Sequence, residues 1–347
     1  MRLIYLDPCL IKRVGHRAVT AREVRRAATA RGIETHVVGN RTMLPDLAEE
    51  LDARCHFKLT TAHRPPVDPI CGAIESFHTV AKDVAGRLAR MTALAADDLV
   101  FVNSVEAAEF HAVMGWLGRG FTTATRPRLV LEFGHPPGFR PLRDPAGRIT
   151  GLKQASPWPS FYRWTAKTIQ PATAARLRLA TFDPRMSDAY GSLLRRPVEA
   201  LPLPFRAVTD ARSRVGTAQP TLAFLGHQRS DKGTLLVPEL VERALARWPN
   251  VRVLYHDSGA AAAGITTALA GRAAAEPRLS VVTAPAAEPL WRELLSRADL
   301  IVMPYDPDPF AIAYSALASE AVANAIPSYP PDEIVTPARG MPGNCEA

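Results

Sequence analysis

At 347 residues the chain has room for about two domains at roughly 150 residues each, and 47% hydrophobic with 22% charged residues is the make-up of a globular protein able to bury a sizeable core. No apolar run approaches the roughly 18 residues of a membrane helix, and Asp7-Pro8 breaks the short N-terminal apolar stretch before a signal-peptide core could form, so the expected location is the cytoplasm. The net charge of +8 suits anionic ligands and leaves a peripheral contact with an anionic membrane surface open, but the basic residues are dispersed rather than gathered in a stripe, which argues against nucleic acid.

The four cysteines, Cys9, Cys55, Cys71 and Cys345, form no C-x-x-C pair, so the expectation is neither a zinc site nor a disulfide framework but buried or incidental thiols. In chain order, Arg2–Leu6 reads as a buried strand and Asp7–Val19 as a loop carrying Gly15 and His16. Thr20 and Glu23 have capping-box spacing, with each side chain satisfying a free backbone donor at a helix start. A helix to about Arg31, Gly32 as its stop and a strand at Glu34–Val38 complete a strand–helix–strand unit. The prolines between Leu44 and Ile70 predict an irregular excursion, followed by a helix over about Ala73–Leu94.

A strand at Leu99–Val102, a helix at Val105–Leu117 and a strand at Arg128–Phe133 then lead into Gly134-His135-Pro136-Pro137-Gly138. The Gly-, Pro- and Arg-rich stretch from there to Gly151 is expected to be a mobile loop. A helix over about Pro159–Ile169, a strand at Leu177–Thr181 and a helix at Pro184–Leu194 close the first half, and Pro197–Pro220 reads as a linker. Alternation restarts with strands at Leu222–Leu225, Val251–Tyr255, Leu279–Val282 and Leu300–Met303, separated by helices ending near Trp248, Ala274 and Ala298, and a helix over about Ser315–Ala325 follows. The expected fold is therefore α/β, with two doubly wound Rossmann-like domains over residues 1–205 and 206–347 and a ligand cleft at their strand C-termini. The second domain, closing on a strand at Ile326–Pro330 and a Pro- and Gly-containing tail, is expected to be one or two elements short at its C-terminus.

One stretch carries recognisable chemistry. Thr221–Gly233, TLAFLGHQRSDKG, joins a strand to a helix through Gly226, with Arg229 and Lys232 in the turn. A helix start reached through a glycine turn offers free backbone N–H groups to an anion, and the two cations add full charges to that cradle. This stretch, together with Tyr305–Pro327 and its Glu-Ala-x-Ala-x-x-x-Pro ending, resembles the donor domain of GT-B glycosyltransferases, most closely the retaining branch called family four. The resemblance implies that Gly226, Arg229 and Lys232 hold the diphosphate of a nucleotide sugar, that Glu320 grips the ribose hydroxyls, and that Ser315 starts the helix beneath it. It also implies His135 near the transferred sugar, with Arg229, Lys232 and His135 as the catalytic set, and Gly15 and His16 on the acceptor side. No metal and no other cofactor is expected, because these enzymes generally need no metal for catalysis; Asp306 and Asp308 read as loop acidity. The acceptor would be a glycan or a lipid-linked glycan. At the position eight residues before Glu320, where the family has a second glutamate, this chain has Ile312.

That departure keeps a second reading open: a non-catalytic or truncated relative that binds a nucleotide sugar or a partner protein. A nucleotide-sugar epimerase of the same two-domain shape is a third. The chain has no G-x-G-x-x-G after its first strand, no G-x-x-x-x-G-K-[ST] and no G-x-S-x-G, so it lacks the signatures of a nicotinamide domain, a P-loop and a hydrolase elbow.

Overall fold

The protein is described from a computed structural model, which places residues 1–13, 16–59, 69–91, 94–134, 139–143, 149–154, 157–182, 184–202, 219–226, 228, 233–258, 263–285 and 288–304. The chain forms two compact units, one of Met1–Phe139 with Lys153–Phe205 and one of Arg140–Leu152 with Arg206–Ala347.

In the first unit the order is β1 (Arg2–Leu6), α1 (His16–Thr29), β2 (Glu34–Asn40), α2 (Pro45–Leu51), β3 (Ala53–Phe57), α3 (Pro69–Leu88), β4 (Leu99–Val102), α4 (Ala107–Gly120) and β5 (Arg128–Glu132). A two-stranded sheet, β6 (Phe139–Arg143) with β7 (Ile149–Gln154), follows in the chain, with Arg140–Leu152 belonging to the second unit; the first unit then resumes with α5 (Trp158–Lys167), α6 (Pro171–Ala174), β8 (Leu177–Thr181), α7 (Pro184–Leu194) and β9 (Glu199–Ala200). The main sheet has the order β3-β2-β1-β4-β5-β8-β9, and every pair in it is parallel. Parallel strands covered on both faces must be apolar throughout, and β1 shows it: Leu3, Ile4, Tyr5 and Leu6 are all buried. Leu3 and Tyr5 pack with Ala18 and Ala21 of α1 and Leu47 of α2 in one cluster.

Three sequence expectations change here. The described part of the stretch after Leu44 is not irregular: Pro45 starts α2, at a position where a missing N–H costs nothing, and the left-handed Asp52 (φ 48°) ends it and turns the chain into β3, while residues 60–68 lie outside the described residues. The residues between His135 and Gly151 are not all loop, since β6 and β7 pair there. Helix α1 begins at His16, four residues before the Thr20–Glu23 capping signal, so Thr20 is buried inside the helix and caps nothing. The physical reason lies in Arg17, whose guanidinium is held by the Asp7 carboxylate at 2.7 Å and draws the first turn back toward the end of β1.

The second unit runs β10 (Thr221–Phe224), a 3-10 turn at Thr234–Leu236, α8 (Val237–Arg247), β11 (Arg252–His256), α9 (Ala263–Ala273), β12 (Leu279–Val282), α10 (Glu288–Arg297) and β13 (Leu300–Ile301). Its sheet order is β12-β11-β10-β13, again all parallel. Helix α8 buries Val237, Val241, Ala244 and Leu245, the spacing of one helical face, against Val253 and Tyr255 of β11. In each sheet the strand order reverses beside its first strand, between β1 and β4 and between β10 and β13. Ligands of open α/β sheets bind outside the strand C-termini at such a reversal.

Candidate functional site

At the reversal in the second unit, β10 leads into the first motif and β13 ends just before the second. Gly226 follows β10 with φ 114°, a conformation that only glycine adopts without strain. Its N–H donates to Nδ1 of His256 at 3.2 Å, and His256, fully buried at the end of β11, donates from Nε2 to the Ala284 carbonyl at 2.9 Å. One ring nitrogen accepts and the other donates, so His256 is the neutral Nε2–H tautomer. Burial lowers its pKa, more strongly than the Ala284 carbonyl and the Asp257 carboxylate raise it.

Gln228 is tied down as firmly. Its amide donates to the His256 carbonyl at 2.9 Å, its Oε1 accepts from the Thr234 hydroxyl at 3.2 Å, and its backbone N–H donates to Asp257 Oδ1 at 3.4 Å. Asp257 Oδ2 accepts from the Thr266 hydroxyl at 2.9 Å. At the far end of the motif Gly233 is left-handed (φ 65°), and a Cβ there would lie 1.6 Å from the Pro304 carbonyl oxygen. The last glycine of the first motif therefore presses its backbone on the residue immediately before the second.

The matching reversal in the first unit is built from charge. Asp7, fully buried at the end of β1, accepts from Arg17 at 2.7 Å, from the Cys9 N–H at 2.9 Å and from Asn103 Nδ2 at 2.9 Å. Burial is the largest influence on the Arg17 pKa and lowers it, but Asp7 together with Cys9 and Tyr5 outweighs it, so the guanidinium is held above its ordinary value. Glu132, at the end of β5, accepts from the Ser104 N–H at 2.7 Å through Oε2, while its buried Oε1 has no partner among the described residues. Burial pushes the Glu132 carboxyl up to about 8, against the lowering effects of that N–H and of Arg17. Glu109 in the first turn of α4 is also buried and pushed up to about 8, by burial first and by Glu106 next. Gly134, just before His135, packs so close that a Cβ would meet the Ser104 hydroxyl at 2.6 Å.

Of the residues expected from sequence, Gly226 sits at the strand end as just described, and His16 is exposed at the start of α1. Arg229, Lys232, His135, Ser315, Glu320, Gly15 and Ile312 lie outside the described residues. The sequence reading missed Asp7, Arg17, Asn103, Glu132, Gln228, His256 and Asp257. A signal for most of them was present: Asp7, Asn103, Glu132 and His256 each stand at or just after the end of an apolar strand, where a buried polar group faces the ligand side of a parallel sheet. Among the described residues no cluster of His, Cys, Asp and Glu could hold a metal ion, and no helix is long and apolar enough to cross a membrane. Cys9 and Cys55 are free thiols, Cys9 partly buried and Cys55 exposed.

No protein-family profile matches the sequence, and no curated protein matches it. Solved structures do resemble the fold. OtsA in its apo form is 13% identical, with 95% of this chain and 83% of that one covered at a TM-score of 0.58. A UDP-forming α,α-trehalose-phosphate synthase from Burkholderia xenovorans is 13% identical over 95% of this chain and 82% of its own, at 0.55. The lipopolysaccharide outer core galactosyltransferase WaaB is 9% identical over 97% and 84%, at 0.53. At such identities the likeness establishes the fold: the chain has the GT-B architecture of solved glycosyltransferases, as its motifs led one to expect.

Proposed function

We propose that the protein is a glycosyltransferase that moves a sugar from a nucleoside diphosphate to a hydroxyl of a glycan or lipid-linked glycan, retaining configuration and using no metal. One observation carries the reading: Gly233, the last residue of the first motif, abuts Pro304, the residue just before the second, at the strand reversal of the second unit. The end of one motif and the start of the other, far apart in sequence, thus meet where open α/β sheets take their ligands. The named activities of the structural neighbours, a UDP-forming synthase and a galactosyltransferase, agree with that use of the fold.

The chemistry asked of the site is stabilisation of a diphosphate whose negative charge grows as the glycosidic bond breaks. Arg229 and Lys232 supply it by preorganised charge. Gly226 and Gly233 supply the close backbone approach that an anion needs. Glu320 would accept from the ribose hydroxyls. In a retaining transfer the departing phosphate oxygen can take the acceptor proton, so no separate base is required. Location in the cytoplasm and a peripheral contact with anionic lipid, which the net charge of +8 would favour, belong to the same proposal.

The test is binding of a panel of nucleoside diphosphates and nucleotide sugars, followed by transfer. Thermal shift detects a ligand that binds the native state. Arg229→Ala and Lys232→Ala are each expected to weaken nucleotide-sugar affinity at least tenfold; unchanged affinity in both sinks the assignment. Ile312, in place of the family's glutamate, favours a second reading in which the protein binds the nucleotide sugar without transferring it. Nucleotide binding with no turnover of any donor selects that reading, and measurable transfer excludes it.

A further inference from the structure

We infer that His256 is a positioning residue for the diphosphate cradle, holding the Gly226 turn through the lone pair on Nδ1 and releasing it when that nitrogen takes a proton. The inference rests on the nucleotide-sugar reading for its consequence and on geometry alone for its first half.

The geometry is specific. Gly226 is the pivot between β10 and the cationic turn, and its backbone N–H points at the imidazole rather than at a carbonyl. The ring is fully buried and its other nitrogen is committed to Ala284. The ring cannot flip to present another acceptor without giving up that bond. Protonation at Nδ1 puts a hydrogen where the Gly226 N–H already points, so two donors face each other and the turn must move. The same strand end fixes the next part of the loop through the His256 carbonyl and Gln228, and the Gly226 carbonyl accepts from the Ser258 N–H at 3.2 Å. A displaced Gly226 therefore strains its bond to Ser258 and reaches Gln228, two residues on in the motif.

Among the described residues, the groups facing the ring are few. Asp257, the next residue, favours the proton, while the Trp291 ring of α10, with centroids 6.5 Å apart, adds apolar cover. Burial opposes protonation more strongly than Asp257 favours it, so release is expected below the ordinary imidazole range of about 6.5. At neutral pH the lock is closed.

Two side chains separate the ring's two bonds. Asn carries its carbonyl oxygen near the position of Nδ1 and does not titrate, so His256→Asn keeps an acceptor for Gly226. Gln reaches the position of Nε2, so His256→Gln keeps a donor for Ala284 and leaves Gly226 without its acceptor. With UDP, ADP and GDP as probes at pH 7.5, H256N is expected to bind within about threefold of the parent and H256Q about tenfold more weakly, the factor for one lost hydrogen bond of about 1.4 kcal/mol. Between pH 7.5 and 5.5 the parent loses affinity beyond what H256N loses, and H256N measures the loss due to the nucleotide's own phosphate titration. Equal affinities for the two variants, or the same pH profile in the parent and H256N, overturn the inference.

A second readout needs no nucleotide. The sequence has two Leu-Gly dipeptides, Leu117-Gly118 and Leu225-Gly226, so carbonyl-13C-leucine with 15N-glycine labelling isolates the Gly226 amide, and Gly118→Ala identifies it. Its resonance should shift with a midpoint below pH 6.5 in the parent and stay fixed in H256N. A Gly226 amide that stays fixed in the parent from pH 8 to 5 overturns the lock. If the amide moves but no nucleoside diphosphate binds the parent, the proposed function fails and the lock stands.

Discussion

The two strand reversals solve one problem by different means. In the first unit the turns after β1, β4 and β5 are held by ionisable groups: the buried Asp7–Arg17 pair and the Glu132 carboxyl. In the second unit the turn after β10 is held mainly by a neutral imidazole, an amide and a hydroxyl, with the Asp257 carboxylate on the Gln228 N–H, and by two glycines whose conformations admit little else. A buried ion pair loses much when one partner goes, because the survivor is stranded. A chain of neutral hydrogen bonds fails link by link. The first unit should therefore be sensitive to charge and the second to shape.

The largest expected effect is on shape. Gly233→Ala forces a Cβ into the Pro304 carbonyl oxygen at a left-handed φ, and should destabilise the second unit by about 4 kcal/mol or more, seen as a collapsed denaturant midpoint. A wild-type midpoint would show that this contact is not rigid. Next is the charge side. Arg17→Ala strands Asp7 with only Cys9 N–H and Asn103, at a cost of about 3 kcal/mol in urea unfolding; a change below about 1 kcal/mol would remove the contrast between the units.

The third effect is a pH dependence of opposite hand from ordinary acid unfolding. Glu132 has its carboxyl raised from 4.5 to about 8, so between those values the unfolded chain has released a proton that the folded chain keeps. Folding then binds protons, and stability falls as the pH rises from about 4.5 to about 8, by a few kcal/mol, with no further loss above. Glu132→Gln should remove its share of that slope, leaving the share of Glu109, which is also raised to about 8, and melt higher than the parent at pH 8.5. Equal slopes would mean that Glu132 is ionised in the folded protein.

The smallest effect sharpens the neutral side. Thr234→Val removes one donor from Gln228 Oε1 and should cost about 1 kcal/mol, measured by the same unfolding and with no change in its pH dependence.

Much of the fold was legible because parallel sheets write themselves as apolar runs. Leu99–Val102, Leu177–Thr181 and Pro184–Leu194 fall where their patterns predict. The errors fell where one local signal competed with a distant partner. Pro45 looks like a breaker but starts a helix. Thr20 and Glu23 look like a start but lie inside α1, because Arg17 is anchored on Asp7. The candidate site is read from the spacing of Gly226, Arg229, Lys232 and Glu320, of which the structure describes Gly226. The groups that hold its turn were not legible in that way, since His256 is thirty residues from Gly226 and Glu132 is twenty-eight from Ser104.

By itself, then, the sequence determined the alternation of strands and helices and a resemblance of its two motifs to GT-B donor domains, because periodicity, glycine placement and motif spacing are properties of neighbouring residues. Only the tertiary structure decided that Gly233 meets Pro304, that Asp7 holds Arg17, and that His256 takes the Gly226 amide. Those contacts join segments whose separation along the chain carries no pattern, and they exist because each buried polar group must find a partner wherever the folded sheet brings one.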